Sequence, residues 1–201
     1  MTPVLSVDIT EKSFAGAVVL GPMSLAIGRG ETVAVLGQSG IGKTTLLRIV
    51  AGIDTAFTGA VARPARVAMV FQAPTLLPWR SVAQNISLVV PGLTTDAVEQ
   101  ALEKVGLGGR GAAFPGQLSL GQQRRLALAR AFAGRPDLLI LDEPFVSLDA
   151  ETAEAMVALT EALLAEVRPA TLLVTHAPAE ARRLADRVMM LAGRPAGLSP
   201  C

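Results

Sequence analysis

The chain has 201 residues, and its 18 Lys and Arg against 17 Asp and Glu leave a formal charge of +1, so no basic excess seeks a polyanion and nucleic acid is not an expected partner. At ~100–200 residues per domain the length fits one domain, with room for a small inserted lobe, and closes a core without a disulfide or metal staple. Apolar residues make up 51% of the chain and its 19 glycines lift the share to about 60%, above the ~45–50% of ordinary globular chains, which points to a greasy surface area suited to a partner.

The N-terminus has no basic stretch followed by an apolar run, and the longest charge-free run, 13–28, is broken by Gly16, Gly21 and Pro22 and falls short of the ~20 residues that span a bilayer. The one cysteine, Cys201, has no internal partner. No membrane crossing and a reducing cytoplasmic setting are therefore expected.

In chain order, the stretch before Gly30 is rich in β-formers and turn residues, as is 58–70, and a small antiparallel sheet is expected from them. Apolar runs without polar alternation at 32–36, 66–71, 138–141, 171–175 and 188–191 read as strands covered on both faces. Helices are expected over 43–50, 95–105, 120–132 and 150–167. From about 73 to 135 the pattern is mainly helical, which gives an inserted lobe flanked by a core of roughly 1–72 and 136–201. Strands alternating with helices make this an α/β chain with a mostly parallel sheet.

Gly37-Gln38-Ser39-Gly40-Ile41-Gly42-Lys43-Thr44 fits G-x-x-x-x-G-K-[ST], directly after one expected strand and before a helix, the context a phosphate-binding loop requires. Glycines permit positive φ, so successive backbone N–H groups converge on phosphates, and the helix beginning near Gly42 adds its positive dipole end. Lys43 is expected to reach the β- and γ-phosphates and Thr44 to ligate Mg²⁺. A second element, Asp142 and Glu143, stands at the C-terminal end of the apolar run 138–141, where ligands of open α/β sheets bind. Alone, such a pair is usually a solvated helix cap. Beside the cradle, alternation along the strand aims the two carboxylates differently, Asp142 to hold Mg²⁺ through water and Glu143 to polarise the attacking water.

These elements, in this order, resemble the nucleotide-binding subunit of ATP-binding cassette (ABC) transporters, a P-loop NTPase core with a small antiparallel β subdomain and an inserted helical subdomain. The resemblance implies ATP and Mg²⁺ as cofactors, with Gly37 to Thr45 holding the nucleotide and Lys43, Glu143 and His176 carrying the chemistry. Gln72, at a strand end, resembles the glutamine that contacts Mg²⁺ and water and relays to membrane subunits; Thr44, Gln72 and Asp142 are thus the metal set. Leu118-Ser119-Leu120-Gly121-Gln122 resembles the LSGGQ signature, whose Ser119, Gly121 and Gln122 would cap the γ-phosphate held by the opposite subunit; an ordinary N-cap serine is the alternative. Leu120 stands where the family usually has glycine, and its Cβ is expected to restrict the backbone and weaken that contact. Asp149 resembles the loop aspartate that touches the partner's site and is equally an N-cap. His176, the only histidine, matches the switch histidine that bonds the γ-phosphate. Phe14 matches the aromatic that stacks on adenine, with a core phenylalanine as its alternative; the chain has no tyrosine.

The resemblance further implies integral-membrane permease subunits docked near Leu76-Leu77-Pro78-Trp79, a second copy or paralogous ATPase subunit, and indirectly a solute-binding protein. The location would be the cytoplasmic face of the plasma membrane. Trp79 is otherwise a satellite core residue of the lobe. The runs 76–81 and 144–149 are similar to those of importers of nitrate, sulfonate, taurine or pyrimidine precursors. A soluble ABC-type ATPase of DNA repair or translation, an exporter motor and a nucleotide kinase are the other readings. Coiled coils and basic surfaces, which favour the first, are missing from the pattern, and no added regulatory domain is expected after 191.

Overall fold

The computed structural model describes residues 2–201. Its strands are β1 (Leu5–Phe14), β2 (Ala17–Leu20), β3 (Met23–Ile27), β4 (Thr32–Leu36), β5 (Thr58–Ala62), β6 (Val67–Val70), β7 (Leu138–Asp142), β8 (Ala170–Thr175), β9 (Arg187–Gly193) and β10 (Ala196–Pro200). Its helices are α1 (Lys43–Ala51), α2 (Val82–Ser87), α3 (Thr95–Lys104), α4 (Leu120–Ala133), α5 (Ala150–Val167) and α6 (Pro178–Leu184), with a 3₁₀ turn at Pro115–Gln117. Contacts gather the chain into two compact units.

The first unit holds the described residues through Met69 with Asp137–Glu143 and Arg168–Cys201. Among the described residues one sheet runs β3-β1-β2-β10-β9-β4-β8-β7-β6, with β5 added to β1. Its centre is parallel: β4 pairs with β8 and β9, and β7 with β8. Every residue of β4, β7 and β8 is buried, which explains why those runs lack polar alternation. The edge is antiparallel, with β1 between β3 and β5. There Leu5, Val7 and Ile9 face inward and Ser6, Asp8 and Thr10 outward, the period of two that a half-covered sheet imposes. One apolar core joins these faces through Leu46, Leu47, Ile49 and Val50 of α1 to Leu138, Ile140, Leu172 and Val174. Helix α1 stops at Gly52, whose φ of 75° makes the left-handed cap that glycine supplies without strain.

The second unit holds Val70–Pro136 and Pro144–Val167. Capping boxes open α2 (Ser81 with Gln84) and α4 (Ser119 with Gln122), and Thr94 caps α3, which satisfies backbone N–H groups that helix starts leave free. Val82, Ile86, Leu102, Leu107, Leu126, Leu128, Phe132 and Leu163 are buried. Asn85, 1% exposed, accepts from Leu77 N at 2.8 Å and donates to the carbonyls of Leu77, Arg80 and Ser81. The Arg130 guanidinium donates to the carbonyls of Pro74 and Thr75. The segment between β6 and α2 is thus an ordered loop held at both ends by side chains of the helices.

The expected strand at 66–71 is β6 over Val67–Val70; at its start Arg66 turns its carbonyl to Asp137 N and Leu138 N. The run at 188–191 extends to β9 through pairing with β10. Sequence reading did not anticipate α2, α6 or β10. The first two are short helices, and β10, Ala-Gly-Leu-Ser-Pro, has no β-forming pattern of its own and exists by its ladder to β9.

Candidate functional site

In the first unit the cradle leaves β4 at Gly37 and enters α1 at Lys43. Gly40 (φ 78°) and Gly42 (φ 114°) are both in the region that favours glycine, and a Cβ on Gly42 would come within 2.7 Å of Leu20 Cδ2. Gln38, Ser39 and Gly40 are exposed and Lys43 is 5% exposed. The Lys43 ammonium donates to the carbonyls of Gly37 and Gln38 at 2.8 and 3.0 Å and lies 3.3 Å from Glu143 Oε1. The other Glu143 oxygen, Oε2, is 3.3 Å from His176 Nδ1, so the carboxylate is braced on both sides.

Backbone geometry contributes to that brace. Glu143 takes φ 45°, which costs a non-glycine residue ~1–2 kcal/mol, and its N–H is tied to Val174 O at 2.9 Å. Such outliers gather at functional sites when the surroundings hold them. His176 follows β8 in a turn fixed by Thr175, whose Oγ1 accepts from Ala177 N at 3.0 Å and donates to Glu180. Sequence reading missed the Thr175 and Glu180 pair, since nothing local marks a buried threonine as a bracket.

Asp142 ends β7 and is 8% exposed, with Oδ2 3.5 Å from Thr44 Oγ1. Burial, then the neighbouring Glu143 charge, pushes its carboxyl above the ordinary value, the condition of a carboxylate that gains from a cation nearby. Among the described residues no three His, Cys, Asp or Glu gather into a metal cage. A hydroxyl and a carboxylate side by side instead suit a hard cation that arrives with phosphate oxygens and takes few protein ligands. Phe14, at the end of β1, is 49% exposed and is not a core residue.

In the second unit Ser119 caps α4: its Oγ accepts from Gln122 N at 3.2 Å, and Gln122 Oε1 accepts from Ser119 N at 3.0 Å. Leu120 is the first helical residue, and no positive φ occurs there. The expected backbone restriction is therefore corrected, because a Cβ is unstrained in a right-handed helix. Its side chain is 50% exposed. Gly121 follows in α4. Asp149 accepts from Thr152 N at 2.9 Å as the cap of α5, and this bond holds its carboxyl below the ordinary value. Gln72 is exposed at the start of the loop held by Asn85 and Arg130, and Trp79, on the same loop, is 68% exposed and so not part of a core. No described helix is long and apolar enough to cross a membrane.

Comparison with known proteins agrees with this geometry. The family described as ABC transporter matches residues 20–146. The chain is 48% identical to the aliphatic sulfonates import ATP-binding protein SsuB of Granulibacter bethesdensis over 191 residues, 94% of this chain and 80% of that one. It is 49% identical to SsuB 2 of Frankia alni over 90% of this chain and 74% of the relative. Against SsuB 1 of Pseudomonas fluorescens the identity is 50%, over 90% of this chain and 70% of the relative. A sheet of this topology with a phosphate cradle between β4 and α1 defines a P-loop nucleotide-binding protein. Within that class the chain belongs to the ABC transporter family, and it is an ATPase that binds and hydrolyses ATP.

Proposed function

We propose that the chain is the motor subunit of an importer whose cargo is an aliphatic sulfonate, taurine included, or another small solute such as nitrate or a pyrimidine precursor. The observation that carries the transport reading is the ordered loop that presents Trp79 to solvent, beside the cargo class that the relatives' names supply. An aromatic anchor held on a rigid loop is what a docked partner uses, and integral-membrane permease subunits are that partner. A solute-binding protein selects the cargo, and the complex places this chain at the cytoplasmic face of the membrane.

In this reading the backbone of Gly37 to Gly42, with Lys43, Thr44 and Thr45, holds the triphosphate. Thr44 and Asp142 would hold Mg²⁺, which when bound would neutralise phosphate oxygens. Glu143 orients water toward the γ-phosphate and accepts its proton, and His176 keeps Glu143 in place. Ser119, Gly121, Gln122 and Asp149 serve the site of a second copy or a paralogous subunit, and Phe14 stacks on adenine.

Removing the chain from its host should abolish growth on an alkanesulfonate as sole sulfur source while growth on sulfate continues. Wild type should restore it and Glu143→Gln should not. Equal growth on both sulfur sources after removal would contradict the cargo class.

A further inference from the structure

Lysine is rarely buried unless paired, yet Lys12 is 3% exposed in a strand whose inward residues are Leu5, Val7 and Ile9. Strict alternation would turn Lys12 outward with Ser6, Asp8 and Thr10. A register irregularity between Ile9 and Glu11 against β5, which leaves Thr10 as an extra residue of β1, changes that. An extra residue in a strand re-aims the side chains beyond it.

So turned, the Lys12 ammonium donates to Asp54 Oδ1 at 2.9 Å and to Ala56 O at 2.7 Å. Asp54 is itself fixed by accepting from Ala56 N at 3.0 Å. The same ammonium lies 4.4 Å from the centroid of the Phe14 ring, inside the ~6 Å range of a cation–π contact. Phe14 leads into the hairpin turn at Ala15 (φ 50°) and Gly16 (φ 83°), and half of it remains open to solvent. A phenyl ring has no hydroxyl with which to anchor itself, and ordering a loose ring on binding costs affinity.

We propose that Lys12 is a positioning residue for the nucleotide base: anchored on Asp54 and Ala56, it holds one face of the Phe14 ring and leaves the other as the platform for adenine. This rests on the reading of Phe14 as that platform.

The test compares calorimetric binding of Mg-ATP and of inorganic tripolyphosphate, which fills a phosphate cradle but has no base, by the full chain. Lys12→Met should weaken ATP about three- to tenfold and leave tripolyphosphate unchanged. Lys12→Arg should retain most of the affinity. Phe14→Ala should weaken ATP alone, and the double variant should be no weaker than Phe14→Ala, because the lysine acts through the ring. If Phe14→Ala weakens ATP and Lys12→Met does not, the proposal is overturned and the platform reading stands. If Phe14→Ala leaves ATP binding intact, the platform reading fails and the proposal with it. Equal weakening of both ligands by Lys12→Met would make the lysine a support of the fold and overturn the proposal. Should Lys12→Met not fold, Asp54→Asn takes its place with the same outcomes, since it keeps an acceptor for Ala56 N–H and removes the charge that anchors Lys12.

Discussion

Glu143 stands between two nitrogen groups, Lys43 Nζ and His176 Nδ1, each 3.3 Å from a different oxygen, and the role proposed for it rests on that placement. Glu143→Gln keeps the shape and loses the proton acceptor, so hydrolysis should fall about 10²–10⁴-fold while ATP binding, measured by calorimetry, stays near wild type. Normal turnover would remove Glu143 from the chemistry. Asp142 shows the opposite balance between stability and function. Its carboxylate is buried beside another carboxylate, so Asp142→Asn should stabilise the folded chain in the absence of Mg²⁺ and nucleotide by about 1 kcal/mol, or ~2–4 °C in melting temperature. The same change should weaken Mg²⁺-dependent ATP binding; a lower melting temperature would contradict the account of its burial. That Lys43, Glu143 and His176 come together was expected from the sequence, because Lys43 opens a helix after a glycine-rich turn and Glu143 and His176 directly follow the apolar runs of β7 and β8. What braces them was not legible: the carbonyls under Lys43, the positive φ of Glu143 and the Thr175 and Glu180 bracket depend on dihedral angles that no local pattern encodes.

Strands β4, β7 and β8 form where the sequence places apolar runs, because burial on both faces leaves them no alternative composition. Helix α5 runs over the expected range, Ala150–Val167, with Asp149 as its cap. Elements that exist by pairing or by caps, such as β10 and α2, were missed for the same physical reason. The joint between β6 and β7 adds a pH-sensitive contribution. Arg66 donates to both Asp137 oxygens, at 2.9 and 2.8 Å, and holds that carboxyl below its ordinary value of 3.8. A carboxyl whose folded value is lowered contributes stability above 3.8 and loses it as pH falls through the folded value. Asp137→Asn should therefore melt below wild type at neutral pH, and the gap should close as melts are taken in increasingly acid buffer. A gap that persists undiminished in acid would show that the pair is not its source.

At the scale of the whole molecule, the chain is an ATPase of the ABC transporter family, and transport is the use proposed for it. The apolar excess read from composition has a structural counterpart in Trp79, Leu88, Val89 and Phe114, all exposed in the second unit. Composition pointed to a partner, and the proposal places its anchor at Trp79, on the loop held by Asn85 and Arg130. The most direct test is to tag the Glu143→Gln variant, solubilise native membranes with and without Mg-ATP, and identify by mass spectrometry what stays bound. The account predicts an integral-membrane permease that is lost when Trp79→Asp is added. Recovery of soluble or ribosomal proteins alone would contradict it.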